Sequence, residues 1–166
     1  VPETIPQFTL KQLKQLADQP YRARAVFIFN LFKLNLPKAV IEKIIKQAYG
    51  ANFDTPAVAP LRPLKNNQYI LELWHGPTAA FKDMALQVLP YFFLEATKKL
   101  NKINKIKYLI LVATSGDTGK AASEGFKDIK GINLIVFYPE KGVSQLQELS
   151  MITHERENLK VISVSG

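Results

Sequence analysis

The sequence predicts an α/β fold, a helical N-terminal segment followed by a βαβ-type parallel sheet covered by helices. Three observations predict it. Up to Gly50 the apolar residues recur at helical spacing. Residues Ala51–Pro63 then hold three prolines (Pro56, Pro60 and Pro63) and no periodicity, which marks a loop or linker. From Tyr69 onward, short apolar runs alternate with helical stretches, the pattern of parallel strands covered on both faces. The expected division is therefore 1–63, a helical segment with its linker, and 64–166, an α/β portion.

Each element has its own signal. Thr9 and Gln12 have the spacing of a capping box, with Phe8 and Leu13 placed as its staple. Leu10, Leu13 and Leu16 then share one face. The stretch Tyr21–Leu34 is apolar nearly all round, which implies a buried helix. Pro37 suits the first turn of a third helix and Gly50 the position past its end. Val40, Ile41, Ile44, Ile45 and Ala48 form its stripe. Tyr69–Leu73 reads as a strand. The helix that follows carries Phe81, Met84, Ala85, Val88, Leu89 and Phe92 at helical spacing, and Pro90 must kink or split it. Lys107–Ala113 is a strand and Thr114–Gly119 a loop, with a helix running to about Asp128. Ile132–Tyr138, Ser144–His154 and Leu159–Val164 complete the alternation as strand, helix and strand.

Composition narrows the function. The chain has 166 residues and is 47% hydrophobic, enough for a real core. It has no cysteine, which removes disulfides, thiolate nucleophiles and cysteine metal sites. Its two histidines, His75 and His154, lie far apart, so no metal site is expected. No apolar run is long enough to span a bilayer, no signal peptide is visible, and a cytoplasmic location is expected. A net charge of +8 raises the question of nucleic acid. The lysines, however, are spread along polar helix faces, and the densest run, Lys98–Lys107, has no interleaved aromatics. An anionic small molecule fits the charge as well. The chain starts at Val1 and stops just after Val164, so it reads as cut at both ends.

Two segments carry the chemistry. The first is His75-Gly-Pro-Thr-Ala-Ala-Phe-Lys-Asp83. It opens a helix with Lys82 in the first turn, where the helix dipole disfavours an ammonium. Ala85, Leu86 and Leu89 lie on the same side and would desolvate the amine. A lysine held neutral in this way suits Schiff-base chemistry. The plain alternative is a lysine that snorkels to water.

The second is the loop Thr114-Ser-Gly-Asp-Thr-Gly119, at the carboxyl end of a strand and the start of a helix. Ligands of open α/β sheets collect at such ends. Free N–H groups, the hydroxyls of Ser115 and Thr118, and the close approach allowed by Gly116 and Gly119 can cradle a carboxylate or phosphate. Alternatively, Thr114 and Asp117 form a capping box and the glycines only turn the chain. A P-loop, a dinucleotide fingerprint and a nucleophile elbow each need glycine at positions where this loop has another residue.

Together the segments resemble threonine synthase. Leu71-Glu-Leu-Trp-His-Gly-Pro-Thr-Ala-Ala-Phe-Lys-Asp83 is similar to its lysine segment and Ala113-Thr-Ser-Gly-Asp-Thr-Gly119 to its glycine-rich loop. Phe137-Tyr-Pro139 with Ser144-Gln-Leu-Gln147 is similar to the next strand and helix start, and the resemblance covers essentially the whole chain. It implies part of a tryptophan-synthase-β-like (type II) fold that uses pyridoxal 5′-phosphate. It also implies conversion of O-phosphohomoserine and water to threonine and phosphate. Carried over by position, Lys82 bonds the cofactor and acts as acid and base. Phe81 and Asp117 contact the cofactor, and Thr114, Ser115, Gly116, Asp117, Thr118 and Gly119 hold the substrate.

His75 and Asp83 match the motif with less certain roles, structural hydrogen bonding for the first and dipole pairing for the second. Asp117 stands where type II relatives usually have Asn, and Trp74 where Phe is more usual. The resemblance places the binders of the cofactor phosphate and pyridine nitrogen beyond Gly166, so the chain alone is expected to be inactive. A serine or threonine dehydratase and a noncatalytic paralogue that binds a phosphorylated ligand are the competing readings.

Overall fold

The computed structural model describes residues 4–100, 106–153 and 156–165. His154 and the middle of the Lys98–Lys107 run lie outside them. The chain divides into two compact units, Val1–His75 and Gly76–Gly166.

The first unit holds helices α1 (Leu10–Ala17), α2 (Tyr21–Leu31) and α3 (Lys38–Ala48), then strands β1 (Leu61–Pro63) and β2 (Tyr69–Leu71). The α1 capping box is formed: Thr9 Oγ1 accepts the Gln12 N–H at 3.2 Å, and Gln12 Oε1 accepts the Thr9 N–H at 2.9 Å. In α3, Ile41, Ile44, Ile45 and Ala48 are buried as their spacing requires. The expectation that Tyr21–Leu34 is a buried helix is not met. Only Ala25 of α2 is buried, and Ile28 and Phe32 remain 38% and 40% exposed. The residues are apolar all round, but α2 packs on α3, which covers only one side of a cylinder.

β1 and β2 pair antiparallel, Leu61 with Leu71 and Pro63 with Tyr69. Their turn places Asn66 and Asn67 both at φ 57°, the left-handed pair of a type I′ turn. Tyr69–Leu71 is thus half of a hairpin and not a strand of the parallel sheet. The hairpin joins residues on either side of the expected 63/64 boundary, and the division falls at His75–Gly76.

The second unit is a three-stranded parallel sheet with helices on one face. Strands β3 (Tyr108–Ala113), β4 (Ile132–Pro139) and β5 (Leu159–Val164) lie in the order β3-β4-β5. The helices are α4 (Asp83–Leu86), α5 (Leu89–Leu100), α6 (Asp117–Phe126) and α7 (Gln145–Ile152). Leu134, Val136, Tyr138 and Leu159 form the core with Ala122 and Phe126 of α6 and Met151 of α7. Leu86, Phe93 and Leu94 pack against the same cluster. The other face was expected to be covered as well, but Leu109, Leu111 and Ile162 are 56%, 61% and 40% exposed. All four helices of this unit contribute residues packed on the same side of the sheet.

Pro90 splits the expected single helix into α4 and α5. It has no N–H to donate to the Leu86 carbonyl one turn back. Gly125 of α6 packs against that carbonyl so closely that a Cβ would stand 2.1 Å from its oxygen. The close approach is of the kind in which a Cα–H meets a carbonyl, and it seats α6 beside α4. Among the described residues, no helix is long and apolar enough to cross a membrane.

Candidate functional site

The lysine segment is a closed turn, not the start of a long helix. Thr78 donates both its backbone N–H and its hydroxyl to the Asp83 carboxylate, each at 2.8 Å. Asp83 is fully buried and Thr78 is 7% exposed. A Cβ on Gly76 would lie 2.5 Å from Asp83 Oδ2, so only glycine lets the chain pass the carboxylate. Ala79 between them sits at φ 55°, in the left-handed region. Asp83 therefore closes the turn, where the sequence suggested a helix-dipole partner. Lys82 stands at the N-cap of α4, a helix of four residues, and is half-buried. A single turn aligns few peptide dipoles, so the dipole expected to act on Lys82 is small. Ala85 and Leu89 are exposed and do not form the apolar wall expected beside the amine. The Lys82 ammonium lies 4.3 Å from the centre of the Phe81 ring, within cation–π range.

The glycine loop leaves β3 where Thr114 donates its N–H to the Phe137 carbonyl at 2.9 Å. α6 starts at Asp117, inside the expected loop, with Gly116 as its N-cap and no side-chain cap on its first N–H groups. The capping box considered for Thr114 and Asp117 is not formed. Thr114 Oγ1 instead accepts the Gly116 N–H at 3.1 Å and folds the loop on itself. Ser115 and Asp117 are exposed, Thr118 is half-buried, and Gly116 and Gly119 are buried. The two glycines serve packing. A Cβ at Gly119 would lie 2.6 Å from Thr114 Cγ2 and 2.9 Å from Met151 Sδ, and one at Gly116 would meet Gln147 Nε2 at 2.6 Å. Gln147 belongs to the formed capping box of α7, where Ser144 donates its N–H to Gln147 Oε1 at 3.0 Å.

The lysine segment contacts the helix that the glycine loop opens. Lys120, in the second turn of α6, donates to the Thr78 carbonyl at 3.5 Å, and α4 packs against α6. Thr78 thus holds the lysine segment through Asp83 and touches the loop's helix through Lys120. Neither Thr78 nor Lys120 was singled out in the sequence. Lys120 follows directly on the glycine loop, and that adjacency was its only signal.

In the first unit, His75 ends the hairpin arm between two carboxylates, with Nδ1 2.5 Å from Asp54 Oδ1 and Nε2 2.8 Å from Glu72 Oε2. Its backbone carbonyl accepts the Asp54 N–H at 3.0 Å. The hydrogen bond to Glu72, reinforced by Asp54, holds the imidazole pKa above its ordinary value. The bond to His75, with Arg62 adding to it, holds the Glu72 carboxyl below its own. Both ring nitrogens of His75 are thus engaged by carboxylates.

The fold is found among solved enzymes. The structure superposes on the pyridoxal-phosphate-bound threonine synthase from Brucella melitensis with a TM-score of 0.86 and 32% identity, covering 100% of this chain and 35% of that one. This is the tryptophan-synthase-β-like (type II) class of fold, represented by its N-terminal part. Residues 1–49 match the family described as threonine synthase N terminus. The chain is 37% identical to threonine synthase from Pseudomonas aeruginosa, over 100% of this chain and 34% of that protein. It is 39% identical to human threonine synthase-like 1, over 97% of this chain and 22% of that protein. By sequence and by fold the chain is similar to the N-terminal part of threonine synthases. It spans between about a fifth and a third of the length of these relatives.

Proposed function

We propose that this chain is the lysine-bearing part of a pyridoxal-phosphate-dependent lyase that converts O-phosphohomoserine and water to threonine and phosphate. The observation that carries the reading is Thr78. It is bonded to Asp83, next to Lys82, and to Lys120, next to the glycine loop, so one residue ties the lysine segment to the helix that the loop opens. The residues fit such a cofactor on two further counts. Lys82 offers an amine in a half-buried setting beside an aromatic ring, and the first turn of α6 keeps N–H groups and hydroxyls for an anion.

When bound, pyridoxal phosphate withdraws electrons from the amino-acid carbons next to the nitrogen and so makes the α-proton removable. The chain's own residues do the rest. Lys82 holds the cofactor through its amine and then takes and returns protons at the substrate carbons. Ser115, Gly116, Asp117, Thr118 and Gly119, with Thr114 folding the loop, hold the α-carboxylate against the N-terminus of α6. Phe81 and Asp117 border the cofactor. The ligands are small molecules, with neither nucleic acid nor membrane as a partner, and the reaction belongs to the cytoplasm.

The test is borohydride trapping of pyridoxal phosphate on a polypeptide that extends the chain to the length of its relatives, read by peptide mass. A reduced adduct at Lys82, lost in Lys82→Ala, is the expected result, and an adduct distributed over other lysines with Lys82 unlabelled refutes the assignment. In a polypeptide that extends the chain to the length of its relatives, phosphate release from O-phosphohomoserine without ammonia release from serine separates a synthase from a dehydratase.

A further inference from the structure

The buried carboxylate of Asp83 has a function that its place beside Lys82 does not by itself explain. It is fully buried, and its side chain accepts hydrogen bonds from the Thr78 N–H and hydroxyl. Removing such a group from water is costly unless its hydrogen bonds are made and held. Among the described residues, no cation lies within ion-pair distance of it. Lys120 presents the complementary case. Lys120 is half-buried, no carboxylate among the described residues pairs with it, and its amine contacts the Thr78 carbonyl. Thr78 therefore stands between an anion and a cation, with its N–H and hydroxyl toward one and its carbonyl toward the other. The two 2.8 Å hydrogen bonds to the carboxylate are of the short, strong kind, and the Lys120 contact at 3.5 Å is the longer arm. Only a glycine at position 76 leaves room for the carboxylate, and Ala79 is held at φ 55° in the same turn.

We propose that Asp83, Thr78 and Lys120 form a positioning relay that sets the placement of Lys82 against the first turns of α6. The inference rests on the reading of Lys82 as the cofactor lysine. Asp83 anchors the turn from the residue next to the reactive amine, Thr78 transmits that anchor, and Lys120 fixes it to the helix that the glycine loop opens. Lys120 lies outside both sequence segments and is a positioning residue, not a catalytic one.

The experiment uses the whole chain with two readouts. The first is amide hydrogen exchange at Thr78, whose N–H is committed to Asp83. The second is the rate of borohydride trapping of pyridoxal phosphate at Lys82, relative to Lys127 in the same sample. Lys120→Met keeps the aliphatic stem and removes the donor. It is expected to speed exchange at Thr78 and to lower relative trapping at Lys82 on the order of tenfold to a hundredfold, the scale of small misplacements of a reacting group. Lys120→Arg restores a donor and is expected to recover both, as is Thr78→Ser compared with Thr78→Val. Unchanged exchange or unchanged relative trapping in Lys120→Met overturns the relay. If Lys82 of the unsubstituted chain is not trapped, the functional reading fails, and exchange at Thr78 alone then decides the relay.

Discussion

Gly125→Ala tests how α6 is seated. The added Cβ would stand 2.1 Å from the Leu86 carbonyl oxygen and 3.0 Å from its carbon. Both atoms are backbone, so no side chain can rotate out of the way. Relief requires α6 to lift from α4 by roughly 1 Å, given that carbon and oxygen seldom approach below about 3 Å. That shift would loosen Ala122 and Phe126, which are 1% and 2% exposed within the core. Overpacking of this kind costs about 1–3 kcal/mol, with backbone clashes at the upper end. Alanine in place of glycine inside a helix returns about 1 kcal/mol. The net loss is thus about 2 kcal/mol. With a urea slope of about 2 kcal/mol/M, the midpoint falls by about 1 M. Far-UV circular dichroism is the appropriate probe, because the single tryptophan, Trp74, belongs to the first unit. An unchanged or raised midpoint would refute the close seating of α6 on the carbonyl that Pro90 leaves without a donor.

Two further outcomes follow from the same structure. The stabilising effect of the Asp54–His75–Glu72 clamp has a defined pH window. The raised His75 pKa makes its part complete below the ordinary value of 6.5 and lost as pH rises through the folded value. The lowered Glu72 pKa makes its part complete above the ordinary value of 4.5 and lost as pH falls through the folded value. The difference in thermal midpoint between the unsubstituted chain and His75→Gln should therefore be largest between these two values and shrink on either side, and a difference independent of pH contradicts the clamp. The two faces of the sheet should also differ sharply. Leu134→Ala, at a position 1% exposed, should cost about 2–5 kcal/mol, whereas Leu111→Gln, at 61% exposure, should stay within about 0.5 kcal/mol. Equal losses in urea titrations would mean that Leu111 is covered.

Much of the fold was legible because the relevant forces are local. The capping box at Thr9 needs only residues three apart, and the buried stripe of α3 needs only helical spacing. Pro90 interrupts a helix wherever it stands, because it lacks a donor. The parallel strands β3, β4 and β5 were read from apolar runs and found at nearly the expected bounds. The hairpin was missed although Asn66-Asn67 is a turn signal, because its strands are three residues long and exposed. α2 was misread because an apolar surface does not state whether anything covers it.

Lys82 and the Thr114–Gly119 loop are candidates on the sequence alone, since residue type and order mark each segment. The carboxylate of Asp83 turned toward Thr78, the contact of Lys120 with the Thr78 carbonyl, and the single covered face of the sheet were decided only when the chain closed on itself. Hydrogen bonds between residues 42 apart and the seating of one helix on another depend on where the backbone brings distant groups, and no local spacing encodes that distance.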